Sequence, residues 1–130
     1  MGINAHPAEV RLTIPADGAY VAVPRAVVGN LAARNDFTVD AIDDLRIAVD
    51  EACALLLPHA TDGKVECVFI VDRPTMTVSV SAAVPADWTP DTGGFGWMVL
   101  AALVDSAEVE NHDGKVRLAL SASALTAENA

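Results

Sequence analysis

Between Thr38 and Pro58, the apolar residues Ile42, Leu45, Val49, Ala52 and Leu56 recur at steps of three and four, and no other stretch restricts the fold as tightly. That spacing draws one stripe along one face of a helix. Thr38 is a capping residue, Asp40 stands in the first turn where the helix dipole favours a carboxylate, and Pro58 cannot continue the ladder. The spacing predicts a helix from Val39 to about Leu57 with one face that must be covered. A second line on the same helix carries Glu51, Leu55 and His59, each four residues from the last. Asp43, Arg46 and Asp50 are neighbours on the polar side.

The covering layer is legible in the flanking segments. Glu9 to Ile14 alternates Val10, Leu12 and Ile14 against Glu9, Arg11 and Thr13, the period of a half-buried strand, and Pro15 with Asp17-Gly18 stops it. Val21 to Arg34 reads as a helix with Val27, Val28, Leu31 and Ala32 on its apolar stripe and Pro24 in its first turn. Lys64–Val71 and Met76–Ala82 read as strands around an Asp72–Thr75 turn. Val84–Thr92, with Pro85 and Pro90, reads as a loop. Gly93-Gly94-Phe95-Gly96 then opens a third helix running to about Asp105. A hairpin closes the chain: Ala107–Asn111, the turn His112-Asp113-Gly114, and Lys115–Ser121. The order β-α-α-β-β-α-β-β predicts a two-layer α/β sandwich, a mostly antiparallel sheet with helices on one face. It forms one domain over residues 1–130, with 123–130 a frayed tail.

Charge and cysteines narrow the functional classes. A net charge of −10 opposes direct contact with nucleic-acid phosphates and suits a basic partner protein. Cys53 and Cys67 belong to no CxxC or Cys/His cluster, so no metal or redox centre is expected and both read as small buried hydrophobes. The first residues lack the basic and apolar regions of a signal peptide, and no apolar run approaches the ~20 residues of a membrane span. A cytoplasmic location without membrane contact is expected.

The order of elements, with Ile42-Asp-Asp-Leu-Arg-Ile-Ala-Val-Asp-Glu-Ala-Cys53, His59-Ala60 and Gly94-Phe-Gly-Trp-Met-Val-Leu-Ala-Ala-Leu-Val-Asp105, resembles the RsbW-type anti-sigma factors. These are serine kinases of the Bergerat-fold (GHKL) ATPase class, and the likeness to the actinobacterial anti-sigma-F factors runs from about Val10 to Leu120. The resemblance implies that Glu51 matches the general base that deprotonates a serine of an antagonist protein. Leu55 stands where the family has the asparagine that binds Mg²⁺. The aspartate of an Asp-x-Gly motif that reads the adenine amino group should follow the Met76–Ser81 strand, where Ala82-Ala83-Val84-Pro85 stands instead. Gly94 and Gly96 match the phosphate-side turn, and the lid between the two glycine boxes is shortened to Val84–Gly93. Arg25 matches an arginine that contacts sigma factor and antagonist.

Leucine offers no oxygen to a cation that demands an octahedral oxygen shell, and the missing aspartate removes a charge-assisted hydrogen bond of about 1.5–3 kcal/mol. The expectation is therefore an anti-sigma factor that sequesters an alternative sigma factor under control of a STAS-domain anti-anti-sigma antagonist. No cofactor is expected, and ATP with Mg²⁺ binds weakly if at all. The alternative is an active ATP-dependent serine kinase acting on that antagonist. A homodimer is expected from the family. Taken singly, Glu51 is also compatible with a solvated helix glutamate and Gly93, Gly94 and Gly96 with plain turn glycines. His59 reads as a helix-end residue bonded to terminal carbonyls, Trp97 as a core anchor, and Trp88 as a contact surface or a plug over the old pocket. Arg25 serves equally as a solubilising or a recognition residue.

Overall fold

The computed structural model describes residues 7–124. Its elements are β1 (Ala8–Pro15), α1 (Ala22–Arg34), α2 (Val39–Leu56), β2 (Lys64–Asp72), β3 (Thr75–Ala83), α3 (Phe95–Ala102), β4 (Ser106–Asn111) and β5 (Lys115–Ser123), with short 3₁₀ turns at Gly18–Tyr20 and Leu57–His59. The five strands form one sheet in the order β1-β2-β3-β5-β4, and every neighbouring pair is antiparallel. This is the α/β architecture expected from the sequence.

Alternation along the strands sorts side chains between the two faces. Ile14, Val65, Cys67, Phe69, Met76, Val78, Val80, Leu118 and Leu120 point inward and join Val28, Ala32, Leu45, Val49, Ala52, Leu56 and Leu100 of the helices in one core. The opposite face carries charged residues at its flanks and Thr77, Ser79 and Ser81 along the central strand. Thr38 caps α2 by accepting from the Ala41 N–H at 3.1 Å, as its position in sequence predicts. At the β4–β5 turn, Asp113 and Gly114 both take positive φ (48° and 85°), the mirror-image turn that an Asp-Gly pair favours.

Several boundaries differ from the sequence reading. α3 ends at Ala102, not Asp105, because Asp105 is drawn into the sheet: its N–H donates to the Ser121 carbonyl at 2.9 Å and its Oδ2 accepts from the Ser123 N–H at 2.8 Å. The same contact carries β5 through Ser123, into the segment read as tail; residues 125–130 lie outside the described residues. Ile42, Val27 and Leu31 are half-buried, while Ala48 and Cys53 complete the buried stripe of α2. Arg46 pairs with Asp43 at 3.5 Å, but Asp50 is taken by α1 instead.

Candidate functional site

Glu51 and Leu55 leave α2 one turn apart on the flank that faces the start of α3. A Cβ added at Gly96 would lie 3.3 Å from Leu55 Cδ2 and 3.5 Å from Glu51 Oε2. The first turn of α3 thus rests on this pair, and the absence of a side chain at position 96 allows the approach. Leu55 is half-buried and packs against the core. Its branched alkyl group itself offers no oxygen to a cation. Among the described residues no three His, Cys, Asp or Glu side chains are grouped to hold a metal ion.

The turn before α3 is satisfied from within. Asp91 accepts the Gly93 N–H on Oδ1 at 2.9 Å and the Gly94 N–H on its main-chain carbonyl at 3.1 Å. Its Oδ2 lies so close that a Cβ on Gly94 would meet it at 3.1 Å. A carboxylate therefore packs beside the amides that a phosphate would need, and its charge repels one. Asp91 was not among the residues the sequence reading selected. The signal was available: in Asp91-Thr92-Gly93, an aspartate side chain two residues before a glycine amide is the pattern of an Asx turn. That stretch also has Asp-x-Gly spacing, displaced from the end of β3, with its carboxylate already engaged locally.

At its far end, β3 closes with Ala82 and Ala83, and Val84 follows. Ala82 and Val84 are buried, and the backbone around them is locked by the Val84 N–H donating to Gly114 O and the Thr61 N–H to Ala83 O, both at 2.8 Å. Trp88 stacks on His59 with ring centroids 3.9 Å apart and planes 18° from parallel. The structure thus gives His59 an aromatic partner, and the loop carrying Trp88 is pinned one turn beyond Leu55. Trp97 is half-buried and packs against the core.

Arg25 does not stand free. Its Nε donates to both oxygens of Asp50, at 2.9 and 3.0 Å, tying α1 to α2 beside Glu51, while its side chain stays 44 % exposed. Cys53 and Cys67 are both buried and share a hydrogen bond between α2 and β2; that bond, with burial adding to it, pushes the Cys67 thiol up. Cavities of about 220, 440 and 360 Å³ open at one end of the sheet, beside Arg73 and along the open sheet face, and none of the three is lined by Glu51, Leu55, Gly94 or Gly96.

A five-stranded antiparallel sheet under a helix layer, with a helix glutamate facing a glycine turn, defines an ATPase-type scaffold, and the comparisons with known proteins agree. The chain belongs to the histidine kinase-like ATPase family, whose model matches residues 14–121, and is similar to RsbW-type members. It is 35 % identical over 107 residues to the anti-sigma-F factor RsbW of Mycobacterium tuberculosis, covering 82 % of this chain and 63 % of that protein. It is 29 % identical over 127 residues to the serine-protein kinase RsbW of Bacillus subtilis, covering 81 % and 79 %. The chain thus spans somewhat under two thirds of the mycobacterial relative. A crystal structure of the RsbU and RsbW domains of a Mycobacterium tuberculosis protein shares the fold, with a TM-score of 0.68 at 20 % identity over 89 % of this chain and 32 % of that one. Among the described residues no helix is long and apolar enough to cross a membrane.

Proposed function

We propose that this chain is an anti-sigma factor that works by binding. It sequesters an alternative sigma factor, yields to a STAS-domain antagonist, and has a nucleotide site that is closed. The observation that carries this reading is the contact of Gly96 with Leu55 and Glu51: the glycine turn sits on a leucine where a metal amide is needed. Asp91 in the glycine turn and the apolar end of β3 support it from the phosphate and adenine sides. Sequestration needs complementary surface, and a surface survives the loss of a metal site.

The kinase reading draws on one observation, the retention of Glu51, and on relatives named serine-protein kinases. A glutamate without a positioned metal and triphosphate has no γ-phosphoryl group to act on. Mixing the chain with each alternative sigma factor of its native host, without nucleotide, should give a stable complex. Adding ATP, Mg²⁺ and a STAS-domain partner should produce no phosphoserine. Stoichiometric phosphoserine by mass spectrometry would instead establish the kinase. A homodimer belongs to the proposed reading, and sedimentation at micromolar concentration tests it.

A further inference from the structure

α3 contains no charged side chain, and its eight residues are Phe-Gly-Trp-Met-Val-Leu-Ala-Ala, whose one polar side-chain group is the Trp97 indole N–H. A helix that is apolar all round belongs in an interior. Yet only Leu100 is buried, while Phe95 is 82 % and Met98 60 % exposed. Phe95, Met98 and Ala102 follow one another at i, i+3 and i+7, and all three face solvent. An apolar residue exposed singly needs no explanation, but a line of them on a helix without a charged group does. Nor is α3 free to roll inward, because Gly96 is pressed against Leu55 and Glu51 on its other side.

The segments that flank this face in sequence are acidic, although Glu110 is paired with Arg117 at 3.4 Å. Between Arg73 and Lys115 the chain has no lysine or arginine and carries six acids, Asp87, Asp91, Asp105, Glu108, Glu110 and Asp113. Asp87 and Asp91 precede α3 and Asp105 follows it, all three exposed. An apolar strip with an acidic rim is complementary to an amphipathic helix that carries lysine and arginine beside its apolar residues.

We propose that the outward face of α3, anchored by Phe95 and Met98, is the docking surface for a basic amphipathic helix of the sigma factor. Sigma factors bind DNA and so supply basic helices. The inference rests on the anti-sigma reading and assigns its interface to a second place, beyond Arg25. Phe95 supplies a rigid ring and Met98 an adaptable thioether, the combination of an anchor with a neighbour that can repack around it. The acidic rim sets orientation and speeds encounter.

The test uses the whole chain, the alternative sigma factors of the native host purified one by one, and the double variant Phe95→Ser/Met98→Ser. Both positions are exposed, so the variant should keep the parent melting temperature. The chain should bind one of the sigma factors, more weakly as salt is raised, and the double variant should bind it at least thirtyfold more weakly, as expected for central anchors (roughly 2 kcal/mol or more). Equal affinity of parent and variant would overturn the inference and leave the anti-sigma reading standing. If the variant keeps sigma binding but loses a STAS-domain antagonist or self-association, the face belongs to that other occupant and the inference also falls. If the parent chain binds none of the sigma factors, the functional reading itself fails and takes this inference with it.

Discussion

Leu55 decides more than any other residue. Its neighbours on the line, Glu51 and His59, are compatible with a nucleotide site, but its Cδ2 methyl lies against the glycine turn, and the proposed reading rests on that contact. Leu55→Asn restores the family residue and places an amide against Gly96 and the core. We expect it to lower stability by about 1–3 kcal/mol, since the amide loses water and the leucine packing goes with it. A thermal melt checks this; an unchanged midpoint would describe an open, wet pocket. Cys67 gives a pH dependence. The hydrogen bond to Cys53 and burial raise the Cys67 thiol in the folded chain while the same bond lowers Cys53, so the Cys67 contribution is fully present below the unfolded value near pH 8.5 and is lost above it. Above that pH stability should fall by up to about 1.4 kcal/mol per pH unit. Urea unfolding at rising pH should show this slope in the parent and not in Cys67→Ala; parallel curves would contradict it.

At the scale of elements, the pairing of α1 with α2 changes how Arg25 must be tested. Arg25→Glu would set a carboxylate against Asp50 and confound recognition with repulsion. Arg25→Ala is cleaner: an ion pair this exposed contributes under about 1 kcal/mol to stability. We expect sigma affinity to drop while the melting temperature moves little, and Asp50→Ala alone to leave affinity nearly unchanged. Equal losses of affinity in both variants would make the pair structural. Elements with a clear period were legible in the sequence: the alternation of β1, the stripe of α2, and the Asp113-Gly114 turn. The end of α3 was not, because all its residues are apolar and the sheet, through Asp105, decides where it stops. Arg25 and Asp91 were incompletely legible for a related reason. The partner of Arg25 lies 25 residues away on another helix, and the role of Asp91 depends on how close the turn brings its carboxylate to Gly94.

Over the whole molecule the family scaffold is kept, and the proposed closed site rests on three places that the family resemblance assigns to the nucleotide. Leu55 packs at the glycine turn, Asp91 accepts the amides of that turn, and Ala82 and Val84 close the end of β3, each satisfied by contacts inside the chain. On the proposed reading, two surfaces are offered to partners: Arg25 beside Asp50, and the exposed apolar face of α3. The most direct check is calorimetric titration of the purified chain with Mg-ATP. The closed site predicts no binding tighter than about millimolar, or roughly −4 kcal/mol. A micromolar dissociation constant that requires Mg²⁺ would contradict it, because the metal and the triphosphate would then have found ligands that Leu55 and Asp91 do not provide.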